Sequence, residues 1–533
     1  MTNALKSTGL RYWMLRVLEE CDNAAADFRA DPVHDLRVSL RRCRSLADGM
    51  IAMDPDREWK AMKKAGRSLF QRLGDLRDVQ IMMDWIDKLN VAVSPVVEAR
   101  GPIPEASATL AELDEAAGAA SAHDPAKALM QILSARETEH KHEARKALEE
   151  FDRKQWREWS DSLPQRAARI RPGSAVFKHL ALERWTAARE LHTTAMRNRS
   201  QVAFHTLRIG IKRFRYIVEN FLPEEHKLWS NDLKHMQDLL GEVHDLDVLW
   251  ATAISCHVFH DEPSRKIWHA RIAEERTKRI DEYRGRTVGP DSLWSVWRAG
   301  LPQGKQIQAI ATRRMKLWAK ALDPDFAHAE RVARLALELY DGLVRSGLLP
   351  RTATGAESAN GAPDDERSSL YIAALLHDVG KAKGNKGHHK ESLELIKKHD
   401  TPLGWKAESM AQAAIVARFH CGALPTRSHK ALRDLLPDEQ KNIIRLAAVL
   451  RLANALDLAH DGHVRKVKIE NANPSSRRVN GFLRKPTLLG KNEALVIAAE
   501  GYADGTPTAQ AIAAERYLLE TVLRRPVVVR RPH

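Results

Sequence analysis

At 533 residues the chain is too long for one ordinary hydrophobic core, so two or three domains are expected. A net charge of +15, with a pI near 9.6, points to an anionic partner: nucleic acid, inorganic polyphosphate or an acidic membrane face. Four scattered cysteines without a CxxC pair argue against a disulfide framework and a thiolate zinc site, and without a long apolar run no membrane insertion is expected and the setting is taken as cytoplasmic.

In chain order, the first distinctive element is His34-Asp-Leu-Arg37-Val-Ser-Leu-Arg41-Arg42-Cys-Arg44. On a helix, residues advance about 100° each, so His34, Arg37, Arg41 and Arg44 share an arc of about 80°. Leu36, Leu40, Cys43 and Ala47 form the neighbouring apolar stripe. An LG-D element follows, Leu73-Gly74-Asp-Leu-Arg77-Asp78. Val91 to Pro125, rich in Ala, Glu, Pro and Ser, reads as a long loop with room for one helix.

Both elements then recur in the same order. His205-Thr-Leu-Arg208-Ile-Gly-Ile-Lys212-Arg213-Phe-Arg215 repeats the basic row beside Leu207, Ile211, Phe214 and Val218. Leu240-Gly241-Glu-Val-His244-Asp245 answers the LG-D element. Such self-similarity implies two equivalent helical units. Like charges at i,i+4 disfavour a helix, and an anion would relieve them; Arg suits bidentate phosphate contact, and Lys supplies a point charge. A single basic helix face is ordinarily a solvated one; the repetition, histidine included, favours an anion site.

Gly285 to Gly304 reads as a domain separator, and Arg351 to Arg367 as a polar insert. His328 begins a helix whose Val332, Leu335 and Leu339 lie on its own face, so it points inward. The apolar run Leu370–Leu376 ends in His377-Asp378-Val-Gly380-Lys381. Imidazole and carboxylate together suit Mn, Fe, Mg or Zn. His388, His389, Glu391, Arg418, His420, Arg451, Asn454 and Asp457 follow. After residue 463 the pattern changes: Val464–Glu470 and Ala494–Ala499 alternate like strands, Thr508–Leu523 reads as a helix and Pro526–Val529 as a last strand.

The HDLRVSLRRCR and FHTLRIGIKRFRY stretches, each with its LG-D element, resemble the CHAD (conserved histidine α-helical) domain over roughly residues 5–285. The resemblance implies two pseudo-symmetric four-helix bundles that bind inorganic polyphosphate in a basic groove. It implies that His34, Arg37, Arg41, Arg44, His205, Arg208, Lys212 and Arg215 line that groove, with Lys63, Arg67 and Lys234 as further candidates. Asp78 and Asp245 are expected to orient the basic side chains.

The order His…His-Asp…Asp resembles the HD superfamily of metal-dependent phosphohydrolases. RRMKLWAKALDPDFAHAERVARLALELYDGL, YIAALLHDVGK, ARFHCGALP and LRLANALDLAH are similar to the HD domain of the exopolyphosphatase/guanosine pentaphosphate phosphatase family, as is the tail AERYLLETVLRRPVVV. The resemblance implies His328, His377, Asp378 and Asp457 as metal ligands, with His389, His420 and Asn454 as lesser candidates. It implies Asp378 and Lys381 as catalytic groups, and Lys381, Arg418 and Arg451 as phosphate contacts. Asn454 stands where many HD proteins carry the closing Asp, and Glu391 where the closer family often has His. The actin-like half that carries catalysis in full-length exopolyphosphatases has no counterpart in residues 1–285.

The expected architecture is mainly α: a helical domain over residues 1–290 (repeats at about 5–90 and 175–285), an HD domain over 305–462 and a small α/β cap over 463–533. The expected function is polyphosphate binding joined to a divalent-metal phosphohydrolase, acting on polyphosphate or a phosphorylated nucleotide, in a cytoplasm that holds polyphosphate granules. The rival expectation is a non-catalytic polyphosphate scaffold with a degenerate HD domain. Nucleic acid ranks third, because the basic rows lack interleaved aromatic residues.

Overall fold

The computed structural model describes residues 9–91, 124–350, 365–470 and 494–532. The chain divides into two compact units, Met1–Ile307 and Gln308–His533. The fold is mainly α, with three short strands near the C-terminus among the described residues. Among the described residues, no helix is long and apolar enough to cross a membrane.

In the first unit, α1 (Leu10–Asp27), α2 (Ala30–Ile51), α3 (Arg57–Arg72) and α4 (Gly74–Val91) precede α5 (Pro125–Glu149) and α6 (Arg153–Ala167). Then come α7 (Ala175–Asn198), α8 (Gln201–Phe221), α9 (Pro223–Ser255), α10 (Glu262–Thr287) and α11 (Leu293–Ala299). The repeated motifs lie on α2 and α8, which pack on each other. Their apolar stripes are buried as the periodicity predicts: Leu36, Leu40, Cys43 and Ala47 on α2, and Leu207, Ile211, Phe214 and Val218 on α8. At Gly49 the two helices come so close that a Cβ would stand 2.3 Å from the Phe221 ring, so only glycine fits.

The repeats differ after that. The first breaks at Leu73, between α3 and α4, whereas the second continues through Gly241 as one 33-residue helix. Pro223 and two glutamates open that helix, where a missing N–H costs nothing and acidic groups meet the positive end of the dipole. Gly285–Gly304 is no linker. α10 runs to Thr287, and α11 buries Trp294 and Trp297 in the first unit. The Gly and Pro content of this stretch suggests a separator, but two buried tryptophans anchor the segment. Val91–Pro125 falls outside the described residues except at its ends, and of Arg351–Arg367 only 365–367 are described, as the start of a helix.

The second unit is built on α12 (Gln306–Leu322), α13 (Phe326–Arg345), α14 (Asp365–Leu376), α15 (His388–Lys398), α16 (Ala407–Arg418), α17 (Lys430–Arg433) and α18 (Pro437–Leu456), with a 3-10 turn at Val379–Lys383. β1 (Lys466–Glu470) pairs antiparallel with β2 (Leu495–Glu500), which pairs parallel with β3 (Val527–Arg530). The parallel pair needs a crossover, supplied by α19 (Pro507–Leu523). The register sets Val467 opposite Ala499 and Ile497 opposite Val529. These strand residues join one core with α13, α14, α16 and α18, so the cap shares the hydrophobic centre of its unit.

Candidate functional sites

In the first unit, α2, α4, α8 and α9 enclose a cavity of about 650 Å³. Its wall carries His34, Arg37, Arg41, Arg208, Lys212 and Arg215, with Arg77, Asp78, Lys234, His244 and Asp245. Arg44 and His205 stand outside that lining. Arg44 lies over the Phe70 ring at 5.0 Å, and His205 Nδ1 meets His244 Nδ1 at 3.2 Å. Lys63 pairs with Asp48, and neither it nor Arg67 lines the cavity. Arg77 and His244 occupy equivalent places in the two repeats, so the groove is asymmetric in charge.

Cations outnumber their partners here. Nε of Arg44, Arg77 and Arg208 is buried without a hydrogen-bond partner among the described residues. Burial, and then Arg208 and Arg41, push the Lys212 ammonium down to about 7. Burial lowers Arg37 to about 10, with Asp78 opposing. Burial also lifts the Asp245 carboxyl to about 6, against the pull of Arg208 and Lys212. Asp78 and Asp245 therefore sit among the guanidinium groups as partial counter-charges. An anion with many oxygens would satisfy the remaining donors and restore the charge on Lys212.

In the second unit, α13 delivers His328 and the end of α14 delivers His377 and Asp378. Their ligand atoms lie within 4.8 Å of one another, and all three residues are buried. Asp325 caps α13 by accepting from the His328 N–H, fixing the first turn. His377 Nδ1 donates to the carbonyl of Ala374 at 2.7 Å, which leaves Nε2 as a lone pair. That Nε2 and Oδ1 of Asp378 are buried without a well-aligned hydrogen bond among the described residues. Such orphaned acceptors fit a cation, and imidazole with carboxylate fits Mn, Mg, Fe or Zn.

Both ring nitrogens of His328 have partners on the far side of the site. Its Nδ1 donates to Asp457 at 2.7 Å, and its Nε2 faces Oδ1 of Asn454 at 2.9 Å. Asp457 also accepts from Arg331 and from the Gly462 N–H. Asp457 thus holds the Nδ1 side of the His328 ring, and Asn454 faces its Nε2. His460 stacks on His328 with centroids 3.7 Å apart.

Lys381 Nζ bonds Oδ2 of Asp378 at 2.5 Å. Burial raises the Asp378 carboxyl, but His377, His388 and His420 outweigh it and hold it far below the carboxylate range. Contact with Asp378, and then with Cys421, lifts His388 to about 10, while burial drives His420 well below its ordinary value. A proton on His388 and the Lys381 ammonium balance the cluster, as a divalent cation would.

Around this core the expected residues separate. Arg451 is buried, pairs with Glu515 and donates to the carbonyls of Phe419 and Gly422, which engages each of its three nitrogens in packing the unit. Arg418 keeps a buried Nη1 without a partner among the described residues and is lowered by burial. His389 Nδ1 lies 3.6 Å from the Cys421 sulfur, and burial lowers it to about 4. Glu391 pairs with Lys383 at the surface.

Sequence reasoning did not single out Asp323 or Cys421. Asp323 is buried, its Oδ2 lacks a hydrogen bond among the described residues, and burial followed by the charge of Asp378 raises its carboxyl. Cys421 joins His388 and His420 in a second group of converging ligand atoms. Neither residue belongs to a spacing pattern that could have announced it.

No curated protein matches the chain. Among solved structures, the crystal structure of the CHAD domain from the plant Ricinus communis is 20% identical, over 55% of this chain and 88% of that one, with a TM-score of 0.31. The family model described as CHAD domain matches residues 14–253. The model described as Ppx/GppA phosphatase, domain III matches residues 310–495. The chain thus carries a CHAD match in its first compact unit and a Ppx/GppA domain III match in its second.

Proposed function

We propose that the first unit binds inorganic polyphosphate in its basic cavity and that the second is a divalent-cation-dependent phosphohydrolase of the HD type. Its substrate class is polyphosphate or a phosphorylated nucleotide, and the setting is a cytoplasm with polyphosphate granules. The observation that carries the catalytic part is the convergence of His328, His377 and Asp378 with two buried acceptors left unpaired. The binding part is supported by the unpaired guanidinium nitrogens of Arg77 and Arg208 in the cavity wall, and both parts by the two family matches.

His328, His377, Asp378 and Asn454 would hold the cation, which when bound supplies a Lewis acid for a phosphoryl oxygen and lowers the pKa of water. The chain's own residues do the rest. Lys381 offsets the charge that develops on phosphorus-bound oxygen. Arg418 offers a donor to a non-transferred phosphate. In hydrolysis a water oxygen bonds to phosphorus, the bond to the leaving oxygen breaks, and the water proton passes to a carboxylate. Asp323, raised by burial, is suited to receive it.

One observation favours the non-catalytic scaffold: the Lys381 ammonium already neutralises Asp378. Phosphate release separates the readings. Incubated with long-chain polyphosphate or phosphorylated nucleotides and each divalent cation in turn, a hydrolase releases phosphate that chelator suppresses. A scaffold binds polyphosphate and releases none with any cation.

A further inference from the structure

Three side chains of α8 follow one another at i,i+4 spacing along the cavity wall: Arg208, Lys212 and Tyr216. Residues at that spacing share a helix face, with Cβ atoms about 5–6 Å apart. Two of the three carry groups with nothing to bind. Nε of Arg208 and Oη of Tyr216 are buried without a hydrogen-bond partner among the described residues. Lys212 stands between them and forms no hydrogen bond or ion pair among the described residues. Other lysines are held by carboxylates: Lys316 pairs with Glu330 at 2.7 Å, Lys406 with Asp365 at 2.7 Å and Lys441 with Asp438 at 2.8 Å.

The surroundings of Lys212 disfavour its ammonium form. Arg208 lies one turn away on the same helix, Arg41 and Arg37 face it from α2, and Asp245 opposes them from α9. Burial is the larger cause, and together they lower the amine to about 7. A desolvated amine beside cations is a nucleophile at neutral pH. The electrophile that this wall would gather is one that carries phosphate, because Arg208 offers a guanidinium donor to it. The cavity, at about 650 Å³, has room for such a small molecule. With phosphate on Arg208, the hydroxyl of Tyr216 lies on the other side of the amine. There it can donate to a carbonyl oxygen on which negative charge develops.

We infer that Lys212 is a covalent modification site, which takes the acyl group of a small acyl phosphate docked on Arg208. The amine nitrogen bonds to the carbonyl carbon. The bond from that carbon to the phosphate oxygen breaks, and phosphate leaves with the bonding pair. The nitrogen gives up one proton, which departs with the phosphate, so no further reactant is consumed. A single phosphate offsets the neighbouring guanidinium charges but leaves burial in force, and the amine stays reactive. A polyphosphate chain carries the cavity past neutrality and returns Lys212 to the ammonium form. The amide formed by acylation has no charge to offer that chain, so acylation and polyphosphate oppose each other. The inference rests on the cavity being an anion site, as in the proposed function, but not on the anion being polyphosphate.

The test incubates the full chain with acetyl phosphate near pH 7.5 and follows each lysine by peptide mapping. Lys212 should be acetylated at least about tenfold faster than the exposed Lys60 and Lys154. Excess inorganic phosphate should slow the reaction at Lys212 and leave the exposed lysines unaffected. With an uncharged donor, para-nitrophenyl acetate, the preference for Lys212 should shrink. Acetylation of Lys212 no faster than that of the exposed lysines would overturn the site. So would an equal preference with both donors, or no protection by phosphate. Preferential acetylation that phosphate blocks, in a chain shown by calorimetry not to bind polyphosphate, keeps the site and removes the polyphosphate reading.

Discussion

The Asp457 carboxylate accepts from Nδ1 of His328 at 2.7 Å, and so leaves Nε2 of the same ring facing Oδ1 of Asn454 at 2.9 Å. A carboxylate behind an imidazole fixes its tautomer and raises its basicity. Asp457→Asn should therefore weaken metal affinity by about tenfold to a hundredfold without removing a ligand. Competition titration with a chelating dye measures this. An unchanged affinity would mean that Asp457 does not orient His328.

Gly380 explains why the His-Asp pair is followed by a glycine one residue on. A Cβ there would stand 2.0 Å from the His388 carbonyl and 2.6 Å from the Ser392 nitrogen. Ser392 Oγ ties the same loop together, accepting from the Gly380 N–H and donating to the His377 carbonyl. Gly380→Ala should cost ~1–3 kcal/mol by overpacking and lower cation affinity with it. Thermal unfolding with and without metal reports both. Parent-like stability would show that α15 yields more readily than its packing implies.

In the groove, Arg208 is buried with an unpaired Nε. Arg208→Ala should remove charge-assisted contacts worth ~1.5–3 kcal/mol, or roughly tenfold to a hundredfold in polyphosphate affinity. The salt dependence of binding should also become shallower. Calorimetry at several ionic strengths decides it, and an unaltered affinity would place the anion elsewhere.

Binding should weaken as pH rises. In the free groove Lys212 titrates near 7, below its ordinary value, and a bound anion raises it again. Above pH 7, binding must therefore take up a proton, so affinity falls. Asp245, titrating near 6, adds negative charge over the same direction of change. Lys212→Arg should flatten the profile between pH 7 and 9. A profile of equal slope in the variant would assign the dependence to other groups.

The helical period made much of this readable in advance. Leu36, Leu40, Leu207 and Ile211 are buried because i,i+4 spacing dictates it, and the basic arcs beside them are brought to one cavity by the repeat. What periodicity lacks is phase and company. His388 and His389 are adjacent, about 100° apart on the start of a helix, and the sequence does not say which ring turns inward; His388 faces Asp378, and His389 faces Cys421. Arg451 lies on a helix buried all round, so its charge is spent on Glu515 and two carbonyls. Asp323 precedes its helix in a turn, where no pattern marks it.

The central claim is an anion-binding groove and a separate hydrolytic cation centre in one chain. Its most direct test is phosphate release from long-chain polyphosphate with Mn or Mg, comparing the parent with the His377→Ala/Asp378→Ala double variant, with polyphosphate affinity measured on both. The account predicts release by the parent, loss of release in the variant, and the same polyphosphate affinity in each. Release that survives the double substitution would contradict it.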